Sequence, residues 1–337
     1  MITYPSINRN AKIGVTAPSS GVPSELHHLL NQSALRLTER GYNVSFGDTA
    51  WTQEKVRAAS AEVRAAEFMK MMNDDSIEMI IPPWGGELLL EILEFIDFDK
   101  MNCKWVLGYS DTSALLLSIT LTTGIATAHG TNFIDLRGEY WDNTTAMWEK
   151  VLTAKQGEII TQTSSEKYQE KWNHEQATPC VFHLTEDTEW KTISNKSEKI
   201  HGRLLGGCID IIHHLPGTAF GDVTAFQETY LGNEPILWYF ENCELTTTGL
   251  RRSLIQMKLA GWFEQCSGIM FGRSAADTAV NGYGAEAVYK ELSEELRIPV
   301  IYDIDCGHKP PQMTLINGAY AEVEVEEGKG TVKQYFK

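Results

Sequence analysis

The sequence predicts an α/β protein with an N-terminal parallel sheet, flanked by helices and carrying a nucleophile elbow. A smaller C-terminal α/β domain, rich in β-strands, follows it. Three observations carry that prediction. Short apolar runs alternate with helix-length amphipathic stretches through the first half, as strands joined by crossover helices do. The stretch from Trp105 to Ser113 passes from an apolar strand through Gly108 to Ser110, and a helical run, Ala114 to Leu121, follows at once. The length, 337 residues, suits two domains. We assign residues 1–152 to the N-terminal domain, 153–199 to a linker or lid, and 200–337 to the C-terminal domain.

Taken in order, Lys12 to Ala17 reads as a strand ending in the turn residues Pro18 to Gly21, and Ser24 to Arg40 as a helix stopped by Gly41. Tyr42 to Phe46 is a second strand. The Ala-, Glu-, Lys- and Met-rich stretch Thr52 to Asn73 predicts one long amphipathic helix. Met79 to Ile81 runs as a strand into Pro82-Pro83-Trp84-Gly85-Gly86-Glu87, with a short helix near Leu88 to Phe95. The elbow follows, then a strand at Ile125 to His129. A parallel sheet collects its ligands at the carboxyl ends of its strands, so the loops at Pro18, Trp84 and Ser110 are expected side by side.

The polar segment from Thr153 to Lys199 predicts little regular structure. Its tryptophans, Trp172 and Trp190, either anchor the segment or stack on a substrate. Beyond it, His201 to Leu205, Ile236 to Phe240, Gly268 to Phe271 and Val300 to Tyr302 read as strands. Cys208 to Leu215, Thr247 to Ala260 and Ala285 to Leu296 read as helices, and the alternating end, Met313 to Phe336, as β-strands.

Composition narrows the function classes. A net charge of -16 with no basic cluster argues against nucleic acid or an anionic membrane as partner. No apolar run approaches the ~20 residues of a membrane span, and the N-terminus has no signal-peptide core. The six cysteines are scattered with no C-x-x-C pair, which suits free thiols in the cytoplasm and neither a disulfide framework nor a cysteine-held metal.

The candidate chemistry is acyl transfer. Gly-x-Ser between a strand and a helix is often a plain turn with an N-cap. It is also where a nucleophilic serine sits, facing the positive end of the helix. Ser110 then needs a histidine base and a carboxylate to orient it. Among nine histidines, His129 ends a strand near the elbow, and His308 lies in a Gly- and Pro-punctuated loop just after a strand. Glu241, at the end of the apolar strand Leu237 to Phe240, is the best-placed carboxylate, although a strand-end charge can simply face solvent. The N–H groups of Asp111 and of Gly85 or Gly86 are candidate oxyanion donors.

These motifs resemble the serine LD-carboxypeptidase family, which includes muropeptide LD-carboxypeptidases and microcin C immunity peptidases. The resemblance rests on Gly108 to Leu116, Gly85-Gly86, Gly202 to Gly207, Phe240-Glu241-Asn242 and Asp305-Cys306-Gly307-His308, and spans nearly the whole chain in order. It implies a Ser–Glu–His triad carried by Ser110, Glu241 and His308, a site between two domains, and a cytoplasmic homodimer needing no metal or other cofactor. Three departures fall around the site: Gly86-Glu87-Leu88, Lys309-Pro310-Pro311 after the histidine, and His129-Gly130-Thr131. The motif spacing is closer to the microcin C immunity branch.

The expected activity is therefore amide hydrolysis through an acyl-enzyme. The substrate is a peptidyl or aminoacyl nucleotide of the microcin C type, or a muropeptide cut at an L,D-amide bond. Trp84, Trp172, Trp190 and His129 are candidate substrate contacts, the tryptophans because aromatic faces stack on nucleobases. An α/β-hydrolase-type esterase and a catalytically silent peptide- or nucleotide-binding protein are the alternatives.

Overall fold

A computed structural model describes residues 1–171, 176–276 and 278–337. The first half builds β1 (Lys12–Val15), α1 (His27–Glu39), β2 (Asn43–Phe46), α2 (Ala61–Met72), β3 (Met79–Ile81), β4 (Trp105–Gly108), α3 (Thr112–Thr123), β5 (Thr127–His129) and α4 (Met147–Leu152). The second half adds β6 (Ile159–Thr163), β7 (Lys167–Tyr168), β8 (Glu186–Asp187), β9 (Lys191–Thr192), β10 (Glu198–Cys208), α5 (Ile209–Ile212), α6 (Val223–Phe226), β11 (Ile236–Glu241), α7 (Thr247–Leu259), β12 (Cys266–Gly272), α8 (Ala285–Leu296), β13 (Val300–Ile304), β14 (Leu315–Asn317), β15 (Tyr320–Glu326) and β16 (Lys329–Tyr335).

Two sheets result. The first has the order β14-β5-β4-β3-β1-β2, parallel except for β14. Its strands are continuous apolar runs because helices and the second sheet cover both faces. The second has the order β6-β16-β15-β10-β11-β12-β13-β9, with a parallel centre of β10 to β13 and antiparallel flanks. Helix α3, apolar on every side, is wedged between the sheets and packs on β4, β5, β10 and β14. One continuous core therefore runs through both halves. No helix among the described residues is long and apolar enough to cross a membrane.

Three expectations need correction. The helix expected over Thr52 to Asn73 starts only at Ala61. Before it, Glu54 and Arg57 bridge each other, Thr52 Oγ1 donates to the Ala58 carbonyl at 2.9 Å, and Lys55 turns left-handed at φ 58°. Side chains that bond the local backbone compete with helix formation in this way. The segment over 153–199 is not irregular: β6 and β9 are the two edge strands of the second sheet, and β7 and β8 pair with each other. Finally, β14 leaves the other terminal strands and joins the first sheet, where Leu315 pairs with His129. The short helix expected near Leu88 to Phe95 forms as a 3-10 helix over Leu89–Phe95, and the Asp111 carboxylate accepts the Leu89 N–H at 2.9 Å.

Candidate active site

Ser110 lies two residues beyond the end of β4 and holds φ at +62°, a left-handed conformation that a residue with a side chain pays to adopt. The elbow is held on both sides. Tyr109 N–H donates to Asn132 Oδ1 at 3.3 Å, and the Ser113 N–H donates to the Ser110 carbonyl at 2.8 Å. The Asp111 carboxylate also accepts from Ser19 Oγ, which ties the loop after β1 to the elbow. Strand ends thus gather the three loops that the parallel sheet was expected to bring together.

The other two groups arrive from the second sheet. Glu241 is the last residue of β11 and is buried. His308 sits in the loop after β13. Its Nδ1 donates to Glu241 Oε2 at 2.8 Å, and its Nε2 stands 3.1 Å from Ser110 Oγ. That arrangement fixes the tautomer: Nδ1 carries the proton and Nε2 accepts from the serine. Gly307 holds φ at +101°, and a Cβ there would lie 2.6 Å from Glu241 Cβ and Oε2. Only glycine lets the histidine loop cross the glutamate so closely.

The electrostatics follow the geometry. Burial disfavours the charged form of His308, but the Glu241 carboxylate, with help from the Cys243 thiol, raises its pKa well above 6.5. Burial likewise pushes Glu241 up, and the His308 imidazolium more than reverses this, leaving Glu241 below the usual carboxylate value. His129 behaves otherwise: burial lowers it to about 4, so it is neutral.

The nucleophile opens into a cavity of about 700 Å³ lined by Trp84, Gly85, Gly86, Tyr109, Ser110 and His308. Among the described residues, the N–H groups of Gly85, Gly86 and Asp111 donate to no backbone carbonyl and stay available for an oxyanion. A Cβ on Gly85 would meet Ser110 Cβ and Oγ at 2.7 Å and the Asp111 nitrogen at 3.1 Å. Gly85→Ala is therefore expected to push Ser110 and the oxyanion donors apart and to lower kcat about 10²-fold, with a modest fall in melting temperature. Steady-state kinetics and a thermal melt check this, and undiminished kcat would separate Gly85 from the reacting centre.

The candidate substrate contacts divide. Trp84 lines the cavity, with Nε1 donating to the Gly21 carbonyl at 3.1 Å. Trp172 lies outside the described residues. Trp190 is no substrate contact: it is 1% exposed in a core cluster of the second sheet, and its Nε1 donates to Asp305 at 2.9 Å. His129 is none either. It is fully buried on β5 between Gly108 and Leu315, against the rings of Tyr109 and Tyr239.

Several residues of the site carried no sequence signal that singled them out. Gln53 and Lys55, from the turn expected to be helix, and Asn132, Asp135 and Arg137, from the turn after β5, all line the cavity. The spacing Asn132-x-x-Asp135 is a helix-start signature that could have marked that turn, and Asp135 does accept the Asn132 N–H at 3.1 Å. Burial raises Asp135 to about 6.

Asp305, in the stretch Asp305 to His308, fastens the histidine loop. It is fully buried and accepts from Ser165 N–H (3.0 Å), Ser165 Oγ (2.5 Å), Trp190 and Arg273 Nη2 (2.7 Å). Arg273 Nη2 also reaches the Lys309 and Pro311 carbonyls at 3.3 Å, so one ion pair grips both ends of the loop. Asp305→Ala would leave Arg273 buried and unpaired, and is expected to cost about 3–5 kcal/mol in urea unfolding. A loss under 1 kcal/mol would show that the pair is not needed to hold the loop. The six cysteines are free thiols, and no group of three metal-ligating side chains is gathered among the described residues.

Comparison with known proteins gives consistent results. The LD-carboxypeptidase N-terminal domain model matches residues 13–130, and the LD-carboxypeptidase C-terminal domain model matches residues 201–323. The microcin C7 self-immunity protein MccF of Escherichia coli is 26% identical over 317 residues, which cover 89% of this chain and 86% of MccF. A solved MccF structure superposes with a TM-score of 0.83 at 23% identity, over 100% of this chain and 99% of that one. MccF has also been solved with aspartyl sulfamoyl adenosine and with glutamyl sulfamoyl guanosine. A muramoyltetrapeptide carboxypeptidase from Oxalobacter formigenes superposes with a TM-score of 0.74 at 19% identity, over 96% of this chain and 99% of its own. These likenesses bear out the α/β fold class.

Proposed function

This chain belongs to the LD-carboxypeptidase family of serine carboxypeptidases and amidases, and from that premise we propose that it hydrolyses an aminoacyl or peptidyl nucleotide of the microcin C type through Ser110, His308 and Glu241. One observation carries the reading. His308 touches both Ser110 Oγ (3.1 Å) and Glu241 (2.8 Å), although the three side chains come from two sheets and are far apart in sequence. A solvated surface histidine has no cause to bridge a strained serine and a buried carboxylate.

In the mechanism we propose, Ser110 Oγ attacks the scissile carbonyl as its proton passes to His308 Nε2. Glu241 holds the ring and stabilises the imidazolium. The N–H groups of Asp111 and of Gly85 or Gly86 take the oxyanion. The proton on Nε2 then goes to the leaving nitrogen, the C–N bond breaks, and an acyl-enzyme remains on Ser110. Water, deprotonated by His308, releases the acid and restores the serine.

For the substrate, the MccF complexes with aminoacyl sulfamoyl nucleotides favour a nucleotide. The likeness to a muramoyltetrapeptide carboxypeptidase keeps a muropeptide as the second reading. Trp84 is an aromatic surface of the cavity on which a base could stack. The deciding experiment gives the purified protein aspartyl- and glutamyl-nucleotides of the microcin C type and an L,D-linked muropeptide tetrapeptide side by side. Cleavage of the nucleotides supports the first reading, and cleavage of the tetrapeptide alone overturns it for the second. Turnover of simple esters without either amide points to an esterase, and binding without turnover to a silent receptor. The same reading carries a cytoplasmic homodimer, which sedimentation checks: a protomer mass at micromolar concentration rejects the dimer.

A further inference from the structure

We propose that Arg137 anchors a carboxylate of the substrate inside the catalytic cavity. This rests on the serine-amidase reading above. It adds a recognition element on the 3-10 turn Phe133–Arg137, which follows β5.

Four arginines of this chain are buried: Arg64, Arg137, Arg203 and Arg273. Three have a carboxylate partner: Arg64 pairs with Glu91 at 2.5 Å, Arg203 with Glu234, and Arg273 with Asp305 at 2.7 Å. Arg137 does not. It is 9% exposed, its Nη1 donates to the Ile134 carbonyl at 2.7 Å, and among the described residues no carboxylate lies within ion-pair distance. A guanidinium taken out of water without an anion is costly, and natural proteins keep buried charges paired. Here the missing partner has a place to come from, because Arg137 lines the cavity that holds Ser110 and His308.

The surroundings suit an incoming carboxylate. Asp135 faces the same cavity and its charge favours the Arg137 cation from a distance, but it accepts the Asn132 N–H and stands outside ion-pair range, so it does not fill the guanidinium fork. Pro23, Trp84 and Ile134 make the adjoining wall apolar, which strengthens a charge-assisted pair. The planar guanidinium fork matches a carboxylate with two parallel hydrogen bonds. Lys55, which also lines the wall, is exposed to solvent and has no such preorganisation. Both substrate readings supply a carboxylate, either the side chain of an acidic aminoacyl group or the C-terminus of a D-residue.

The test measures dissociation constants on the Ser110→Ala protein with two matched ligand pairs. One is aspartyl against asparaginyl sulfamoyl adenosine; the other is an L,D-linked tetrapeptide with a free against an amidated C-terminus. With Arg137 intact, the carboxylate member of one pair is expected to bind about 10- to 100-fold tighter, and that pair identifies the source. Adding Arg137→Met should erase the preference, and adding Arg137→Lys should keep part of it. If Arg137→Met fails to fold, the intact protein and the lysine variant still decide. No carboxylate preference in either pair, a preference that survives Arg137→Met, or one left undiminished by Arg137→Lys, overturns the proposal. Turnover by the unaltered protein separates the two readings. Hydrolysis without carboxylate dependence rejects Arg137 alone, whereas no binding and no hydrolysis of any ligand rejects the amidase reading and this site with it.

Discussion

Ser110→Ala is expected to abolish amide hydrolysis, lowering kcat by about 10⁵- to 10⁶-fold, while the protein still folds and binds its substrate. The size follows from what the substitution removes. The hydroxyl oxygen forms the bond to the scissile carbon that drives out the leaving nitrogen and makes the acyl-enzyme. Without it, His308 can at most activate a water, leaving the contribution of the oxyanion donors and of binding. The structure gives no reason for collapse. Ser110 holds its left-handed φ in a turn fixed by Asn132 and by the Ser113 N–H, and alanine keeps that backbone pattern. The Ser110 side chain is partly exposed to the cavity rather than part of the core. Single-turnover kinetics on a cleaved nucleotide or muropeptide, with a binding titration of the variant, checks both halves. Turnover within tenfold of the unaltered protein would remove Ser110 as nucleophile.

Ser110, Glu241 and His308 were legible as candidates because each lies at or just after the end of a strand of recognisable period, and the family resemblance implied that the three meet. Trp105 to Leu107, Leu237 to Phe240 and Val300 to Tyr302 are short apolar runs whose carboxyl ends carry Ser110, Glu241 and His308. Within one sheet, parallel strands place such ends on one rim, so local patterning carried the information that Glu241 and the His308 loop come together; their meeting with Ser110, on the other sheet, came from the family resemblance. Where pairing partners lie outside the pattern, that information stops. Leu315 to Asn317 reads like any buried strand, and nothing in its period says that it pairs with β5 rather than with β15. The strands at Lys167, Glu186 and Lys191 are two residues long, too short to show alternation. Trp190 was ambiguous because an aromatic residue in a polar segment fits an anchor or a platform equally well; its bond to Asp305 settles it as an anchor. His129 follows Ala126-Thr127-Ala128, whose small side chains match the interior strand found there. The cavity wall was the least legible, since Lys55, Asn132 and Arg137 reach it from turns whose direction depends on the packing of the whole domain.

Glu241→Gln is expected to lower kcat/KM about 10⁴-fold and to move the acidic limb of the pH profile downward. The amide keeps the volume but can offer its NH₂ to His308 Nδ1. That favours the tautomer whose Nε2 carries the proton and cannot accept from Ser110. The pH shift has a separate origin. A general base works only when neutral, so kcat/KM rises as His308 loses its proton. The carboxylate beside it favours the imidazolium and holds its pKa above 6.5, so the rising limb of the unaltered protein lies above that pH. Removing the negative charge leaves burial as the main influence on His308, and burial lowers its pKa, so the limb should fall below 6.5. Stability moves with the opposite sign. With its folded pKa raised, His308 stabilises the unaltered protein fully at pH below about 6.5 and loses that contribution as pH climbs through the raised value. The glutamine variant should lack this loss. Profiles of kcat/KM against pH for both proteins, with thermal melts over the same range, test the pair directly. A limb that stays in place after the substitution would show that Glu241 does not set the charge of His308, whatever the rate.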